Sequence, residues 1–219
     1  MLTEYEHEPM PGLPTALPEG EFIRWQGRPQ WRDLAVSALH VRKLAVYFAV
    51  LIALRVAFQL NGGMALAEIV PGASLLVVFA LAALGLLALL AWLMARATCY
   101  TVTNRRLVIR SGVAVPMSVN LPFGHVVSAD LRRRAGGRGD IVLTLAPGAR
   151  ASWVVLWPHV RHLSIGRVQP MLRALDNVQA PAAVLADALT RFAREPAAEA
   201  EARVRVRRAE PGMPAASTG

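Results

Sequence analysis

The chain has 219 residues, 54% of them hydrophobic and 18% charged, with a formal net charge of +9 and a mean hydropathy of +0.38. That balance is too apolar for an ordinary soluble domain, so a membrane class is tested first, and the length allows one membrane unit plus one small soluble domain. Cys99 is the single cysteine, which excludes an intrachain disulfide and a cysteine-based metal cluster, and Lys43 is the single lysine, so nearly all of the positive charge is arginine.

The first twenty residues, "MLTEYEHEPMPGLPTALPEG", are acidic and proline-rich. A secretory signal has the opposite character, a basic start followed by an apolar core. Glu4, Glu6, Glu8, Glu19 and Glu21 all precede the first arginine, Arg24. Three readings stand side by side: an arm folded back on an arginine-rich domain, an arm reaching a basic partner, or a solvated extension. Trp25 and Trp31 are positioned to anchor the next stretch on the membrane or on the domain.

Two apolar runs follow, "LAVYFAVLIALRVAFQL" from Leu44 and "SLLVVFALAALGLLALLAWLMA" from Ser74 to Ala95. A helix needs roughly 20 apolar residues to cross the hydrocarbon core. The second run meets that without a charge. The first meets it if extended to Val41 and Asn61, and its Arg55 is expected to snorkel to the far interface, against the alternative of an intramembrane partner contact or a hydrogen bond to a bound pigment. Arg42 and Lys43 precede the pair and Arg96, Arg105 and Arg106 follow it, whereas the connection "NGGMALAEIVPGA" carries only Glu68. The positive-inside rule then puts both termini in the cytoplasm, and the short connection makes an antiparallel hairpin. Gly85, Ala88, Ala91 and Ala95 offer small residues for close helix contact.

After Arg96 the hydrophobic period changes from helical to two. "ATCYTVT" and "RLVIR" form a hairpin turning at Asn104-Arg105. "VPMSVNL", "HVVSADLR", "IVLTL" and "SWVVLW" continue the series, with "VRHLSI" a weaker seventh candidate. Strands at such spacing indicate an antiparallel sandwich or barrel. "PAAVLADALTRFAREP" then places Val184, Leu185, Ala188, Leu189 and Phe192 on one helical stripe. An all-β unit capped by one C-terminal helix fits a pleckstrin-homology-like (PH-like) sandwich or barrel. The expected organisation is an N-terminal segment at 1–40, a transmembrane helical hairpin at 41–96, a cytoplasmic PH-like domain at 97–194 and a disordered tail at 195–219.

Little in the chain suggests catalysis. His7, His40, His125, His159 and His162 make no metal-binding spacing. His40, at the start of the first helix, could ligate a chlorophyll-type magnesium, but an interfacial histidine is ordinarily just solvated. There is no P-loop, no dinucleotide fingerprint and no nucleophile elbow. The expectation is a protein that is not an enzyme and holds no cofactor or metal. The basic charge concentrates at one glycine-rich β-turn, where Arg132, Arg133, Arg134 and Arg138 cluster. They are candidate contacts for anionic lipid headgroups or an acidic partner surface, against the plain alternative of a solvated loop. Nucleic acid is not expected, since no recognition motif is present.

"FIRWQGRPQWRDLA" and "YTVTNRRLVIRSGVAVPMSVNLPFGHVVSADLR" resemble bacterial PH-like membrane proteins, with their "W-x-G-x-P" segment, membrane hairpin and "Y-x-[LV]-T-x-R-R" turn. "EPMPGLPTALPEGE", "HVRKLAVYFA" and "QPMLRALDN" further resemble the photosynthetic complex assembly protein family of purple bacteria, the PuhB family, from about Glu8 to Phe192. That resemblance implies a non-enzymatic assembly factor for the reaction centre and its light-harvesting 1 antenna. It would sit in the bacterial inner, intracytoplasmic photosynthetic membrane. The implied partners are reaction-centre subunits, the H subunit foremost, with light-harvesting 1 components and membrane lipids; a homodimer stays open. The competing reading is a generic membrane-anchored PH-like lipid-binding or scaffold protein.

Overall fold

The computed structural model describes residues 13, 16–149, 151–161 and 168–209. Its elements, in order, are β1 (Ile23–Gly27), α1 (Trp31–Ser37), α2 (Val41–Asn61), α3 (Leu66–Ala97), β2 (Cys99–Thr103), β3 (Arg106–Ser111), β4 (Met117–Pro122), β5 (Val126–Arg133), β6 (Gly139–Leu145), α4 (Trp153–Leu156), β7 (Met171–Leu175) and α5 (Gln179–Ala209). Two long apolar helices, antiparallel sheets and a C-terminal helix make up the PH-like architecture expected from the sequence.

Helices α2 and α3 are long and apolar enough to cross a membrane. The reason is composition: Leu, Ala, Val and Phe cover every face, so neither helix has a polar side. No residue of α2 is buried inside the protein. Phe58, Phe79, Leu81 and Leu86 all stand outward on the hairpin surface. α3 begins at Leu66, eight residues before the apolar run at Ser74, and carries Pro71 inside its second turn, where the missing N–H forfeits one backbone bond. The Ser74 hydroxyl donates to the Pro71 carbonyl at 2.9 Å. Ala91 and Ala95 are buried, but a side chain added at Gly85 would meet open space, so Gly85 is not a packing contact. Arg55 lies against α3: its Nη2 is 3.3 Å from where a Gly72 Cβ would stand.

The β-unit has two antiparallel sheets, ordered β1-β2-β3-β4 and β5-β6-β7. Tyr100, Val102, Leu107 and Ile109 from the first and Ile141, Leu143 and Leu172 from the second fill the core between them. α5 closes it. Leu185 and Ala188 are buried, Val184, Leu189 and Phe192 pack at the rim, and Phe192 meets Phe123 edge-on at 6.0 Å. The whole predicted stripe is therefore used. The helix continues to Ala209, past the expected start of the tail at 195, and residues 210–219 lie outside the described residues.

Two strands differ from those expected. "SWVVLW" is not a strand: it is the single helical turn α4, followed by a cis bond from Trp157 to Pro158. The place it would take beside β6 is occupied by β7, from "QPMLRAL". Every residue of β7 is buried, so it carries no alternation to read. Of "VRHLSI", Val160 makes an isolated bridge to Pro170 and residues 162–167 lie outside the described residues.

Residues 23–37 are built into the domain. β1 pairs with β2 along its length, and Trp25 packs on the core. The W-x-G spacing has a steric cause: Trp25 lies over Gly27, where a Cβ would come within 2.4 Å of the indole. α1 docks on the end of α3 and on β7, through Leu34 and Ala38 against Ala95 and Ala174. Glu21 folds back as one reading of the acidic arm has it, accepting from Arg106 Nε at 2.8 Å. Glu4, Glu6 and Glu8 lie outside the described residues.

Candidate functional site

The helical hairpin and the β-unit are joined by one residue, Thr98, between Ala97 and Cys99. A joint so short must be rigid or the domain would swing, and it is fastened by a buried polar chain. The Thr98 hydroxyl donates to the Met94 carbonyl in the last turn of α3 at 2.7 Å. Its oxygen is then free to accept from His159 Nε2 at 3.0 Å. That fixes the tautomer, leaving Nδ1 to accept from the Tyr100 hydroxyl at 2.7 Å. Tyr100 in turn accepts from the Arg173 backbone N–H at 3.1 Å.

His159 and Tyr100 are both fully buried. Burial, seconded by the nearby Arg173 charge, pushes His159 down to about 3, so the ring is neutral at ordinary pH. Burial raises the Tyr100 phenol above its usual range. The Arg173 guanidinium is held below its usual value by burial, offset by the Asp140 charge. Its Nη2 donates to the Val160 carbonyl at 2.9 Å and to Met171 Sδ at 3.2 Å, and Nη1 reaches the Ser37 carbonyl at 3.5 Å. One side chain therefore ties β7 to the Val160 bridge and to the end of α1.

The expected arginine cluster divides in two. Arg134 is ion-paired with buried Asp140, whose other oxygen accepts from the Ala174 N–H at 2.8 Å. That contact, with the Gln30 N–H to Ala174 carbonyl bond at 2.7 Å, holds Ala174 at φ 58°, a left-handed conformation costly for a residue with a Cβ. Arg138 donates to Asp33 on α1 at 3.0 Å. Arg132 and Arg133 are exposed on β5; the Gln179 amide, in the orientation that satisfies it, accepts from Arg133 Nε and Nη2 at 2.9 Å each. So Arg134 and Arg138 bind the turn to α1 and β7, while Arg132 and Arg133 lie on the outer edge. His40 sits at φ 54° in the turn before α2, with Nδ1 3.2 Å from the Ala38 carbonyl. Among the described residues no group of three His, Cys, Asp or Glu could hold a metal ion.

The residues that sequence reasoning passed over are Tyr100, His159, Arg173 and Asp140. Arg173 and Asp140 did leave a trace, each being a lone charge inside an apolar strand, "MLRAL" and "GDIVL".

Two apolar helices long enough to cross a membrane, running into two antiparallel sheets capped by a helix, define a bacterial PH-domain protein with a helical hairpin. The Bacterial PH domain family matches residues 41–189, and the chain belongs to that family. It is also similar to an uncharacterized 23.7 kDa protein in the puhA 5′ region of Rhodobacter capsulatus, 33% identical over 194 residues, which are 88% of this chain and 91% of that protein. The two matches together fit the PuhB-like family that the N-terminal and "QPMLRAL" segments resemble. No solved structure matches the chain significantly.

Proposed function

We propose that this protein is a non-enzymatic assembly factor for the photosynthetic reaction centre–light-harvesting 1 complex. The hairpin crosses the photosynthetic membrane twice and leaves both termini in the cytoplasm. The PH-like domain then lies against the cytoplasmic membrane face and offers its surface to a reaction-centre subunit, the H subunit first, and to light-harvesting 1 components. The carrying observation is the near full-length similarity to the protein of the puhA 5′ region. The outward apolar side chains of α2 and α3 support the membrane placement, since each large one left in water forfeits roughly 1.5–3 kcal/mol of burial. Arg42, Lys43 and Arg96 at one end of the hairpin, against Glu68 at the other, support the orientation.

A membrane-anchored PH-like lipid-binding or scaffold protein is the second reading, favoured by the arginines gathered beside the hairpin. An affinity pull-down from mild-detergent membranes of phototrophically grown cells separates the two. Reaction-centre or antenna subunits should co-purify, identified by mass spectrometry. Recovery of the protein with lipid alone would replace the assembly role with the scaffold reading.

A further inference from the structure

At the start of α2, three elements wall a cavity of about 440 Å³. α1 contributes Asp33 and Ser37, the first turn of α2 contributes Arg42 and Lys43, and the β5–β6 turn contributes Arg134 and Arg138. Asp33 balances Arg138 and Asp140 balances Arg134. Four cations less two carboxylates leave the charges of Arg42 and Lys43 over. His40 lies on the same wall and gives α2 no side-chain cap, so the start of the helix adds its positive dipole end beside the cavity. The Ser37 hydroxyl and the second carboxylate oxygen of Asp33, Oδ2, lack a hydrogen-bond partner among the described residues. Two surplus cations and an unused hydroxyl around one concavity suit a phosphate, and a protonated phosphate oxygen or a headgroup hydroxyl can donate to Asp33 Oδ2.

We infer that this cavity binds the phosphate of an anionic phospholipid headgroup. The lipid source follows from depth, and this step rests on the reading that the hairpin spans the membrane. α2 has 21 residues, so it is about 31 Å long and matches the roughly 30 Å hydrocarbon core. Its first turn therefore stands at headgroup level. One turn further in, Val46, Tyr47 and Val50 are exposed and apolar, a surface on which an acyl chain can lie. The paired acids give the site a second property: Arg134 and Arg138 are held in place before the ligand arrives, so little side-chain freedom is lost on binding.

The test uses the full chain, delipidated in a neutral detergent. Dioctanoyl phosphatidylglycerol, the matching phosphatidylcholine and inorganic phosphate are titrated separately, and binding is read by thermal shift and native mass spectrometry. Phosphatidylglycerol should bind and stabilise, and phosphatidylcholine should not. The double change Arg42→Gln with Lys43→Gln should weaken phosphatidylglycerol binding about 10-fold or more, since each interfacial cation is worth about 1 kcal/mol. Arg191→Gln, an exposed arginine of α5 that does not line the cavity, should leave it unchanged. Equal binding of the two lipids, or of wild type and the double variant, overturns the proposal. Inorganic phosphate reproducing the shift at equal concentration overturns the lipid assignment in favour of a soluble phosphate. Alkaline carbonate extraction of the same cells tests the membrane reading separately: release of the protein would refute the span without reference to the cavity.

Discussion

The Tyr100 hydroxyl donates to His159 Nδ1 at 2.7 Å, with the two rings nearly perpendicular at 86°. Tyr100 is the second residue of the first strand after the hairpin, and His159 follows Pro158 nearly sixty residues later. The bond thus closes the base of the β-unit onto the end of α3. It also explains the "Y-x-[LV]-T-x-R-R" spacing residue by residue. Tyr100 enters the polar chain, Val102 enters the core, and the Thr103 hydroxyl accepts from the Arg105 and Arg106 N–H groups at 3.1 and 2.9 Å to close the turn. Arg106 then pairs with Glu21.

Changing Tyr100→Phe keeps the ring in the core but leaves His159 Nδ1 and the Arg173 N–H without their partner. Unsatisfied buried groups cost about 1–3 kcal/mol. The variant should melt several degrees below wild type in the same detergent. A melting temperature equal to wild type would show that the hydroxyl is not structural.

His159 gives stability a pH dependence. Its folded value, about 3, lies below the ordinary 6.5. Between those values the unfolded chain binds the extra proton, so stability is complete above about pH 6.5 and declines as pH falls towards 3. The slope from this group approaches about 1.4 kcal/mol per pH unit. Carboxylates join in below about pH 5, so the diagnostic interval is pH 6.5 to 5. His159→Gln should flatten the melting profile there, and an unchanged slope would reassign the effect.

Asp140 serves three groups at once: Arg134, the Ala174 N–H and, through its charge, Arg173. Asp140→Asn keeps one acceptor but discards the charge. A loss of roughly 2–3 kcal/mol is expected, read by denaturant unfolding. Arg134→Gln, at the more exposed end of the pair, should cost less. The reverse order would mean that the pair, rather than the Ala174 contact, dominates.

The core prediction contrasts two aliphatic residues. Leu185 on α5 is buried, whereas Val154 in α4 is 77% exposed. Leu185→Ala should cost about 2–5 kcal/mol, and Val154→Ser should stay within about 0.5 kcal/mol of wild type. A strand at 152–157 would reverse the second expectation, so equilibrium unfolding of both variants checks the corrected assignment directly.

The sequence by itself determined the hairpin, most strands of the β-unit and the stripe of α5, because each is written in a local period. Near-continuous apolar runs mark α2 and α3, alternation marks β2 to β6, and spacing of three to four marks Leu185, Ala188 and Phe192. Only the tertiary structure decided the rest. β7 is buried on both faces and so has no period to read, and α4 shows the same aliphatic run as a strand until Pro158 and the occupied edge of β6 exclude it. The four clustered arginines looked alike in the sequence. Partners distant in the chain separate them: Asp33 is more than a hundred residues from Arg138, and only the docking of α1 on α3 and β7 brings it there. Local propensity is a property of neighbours along the chain, whereas charge pairing and cavity walls are set by neighbours in space.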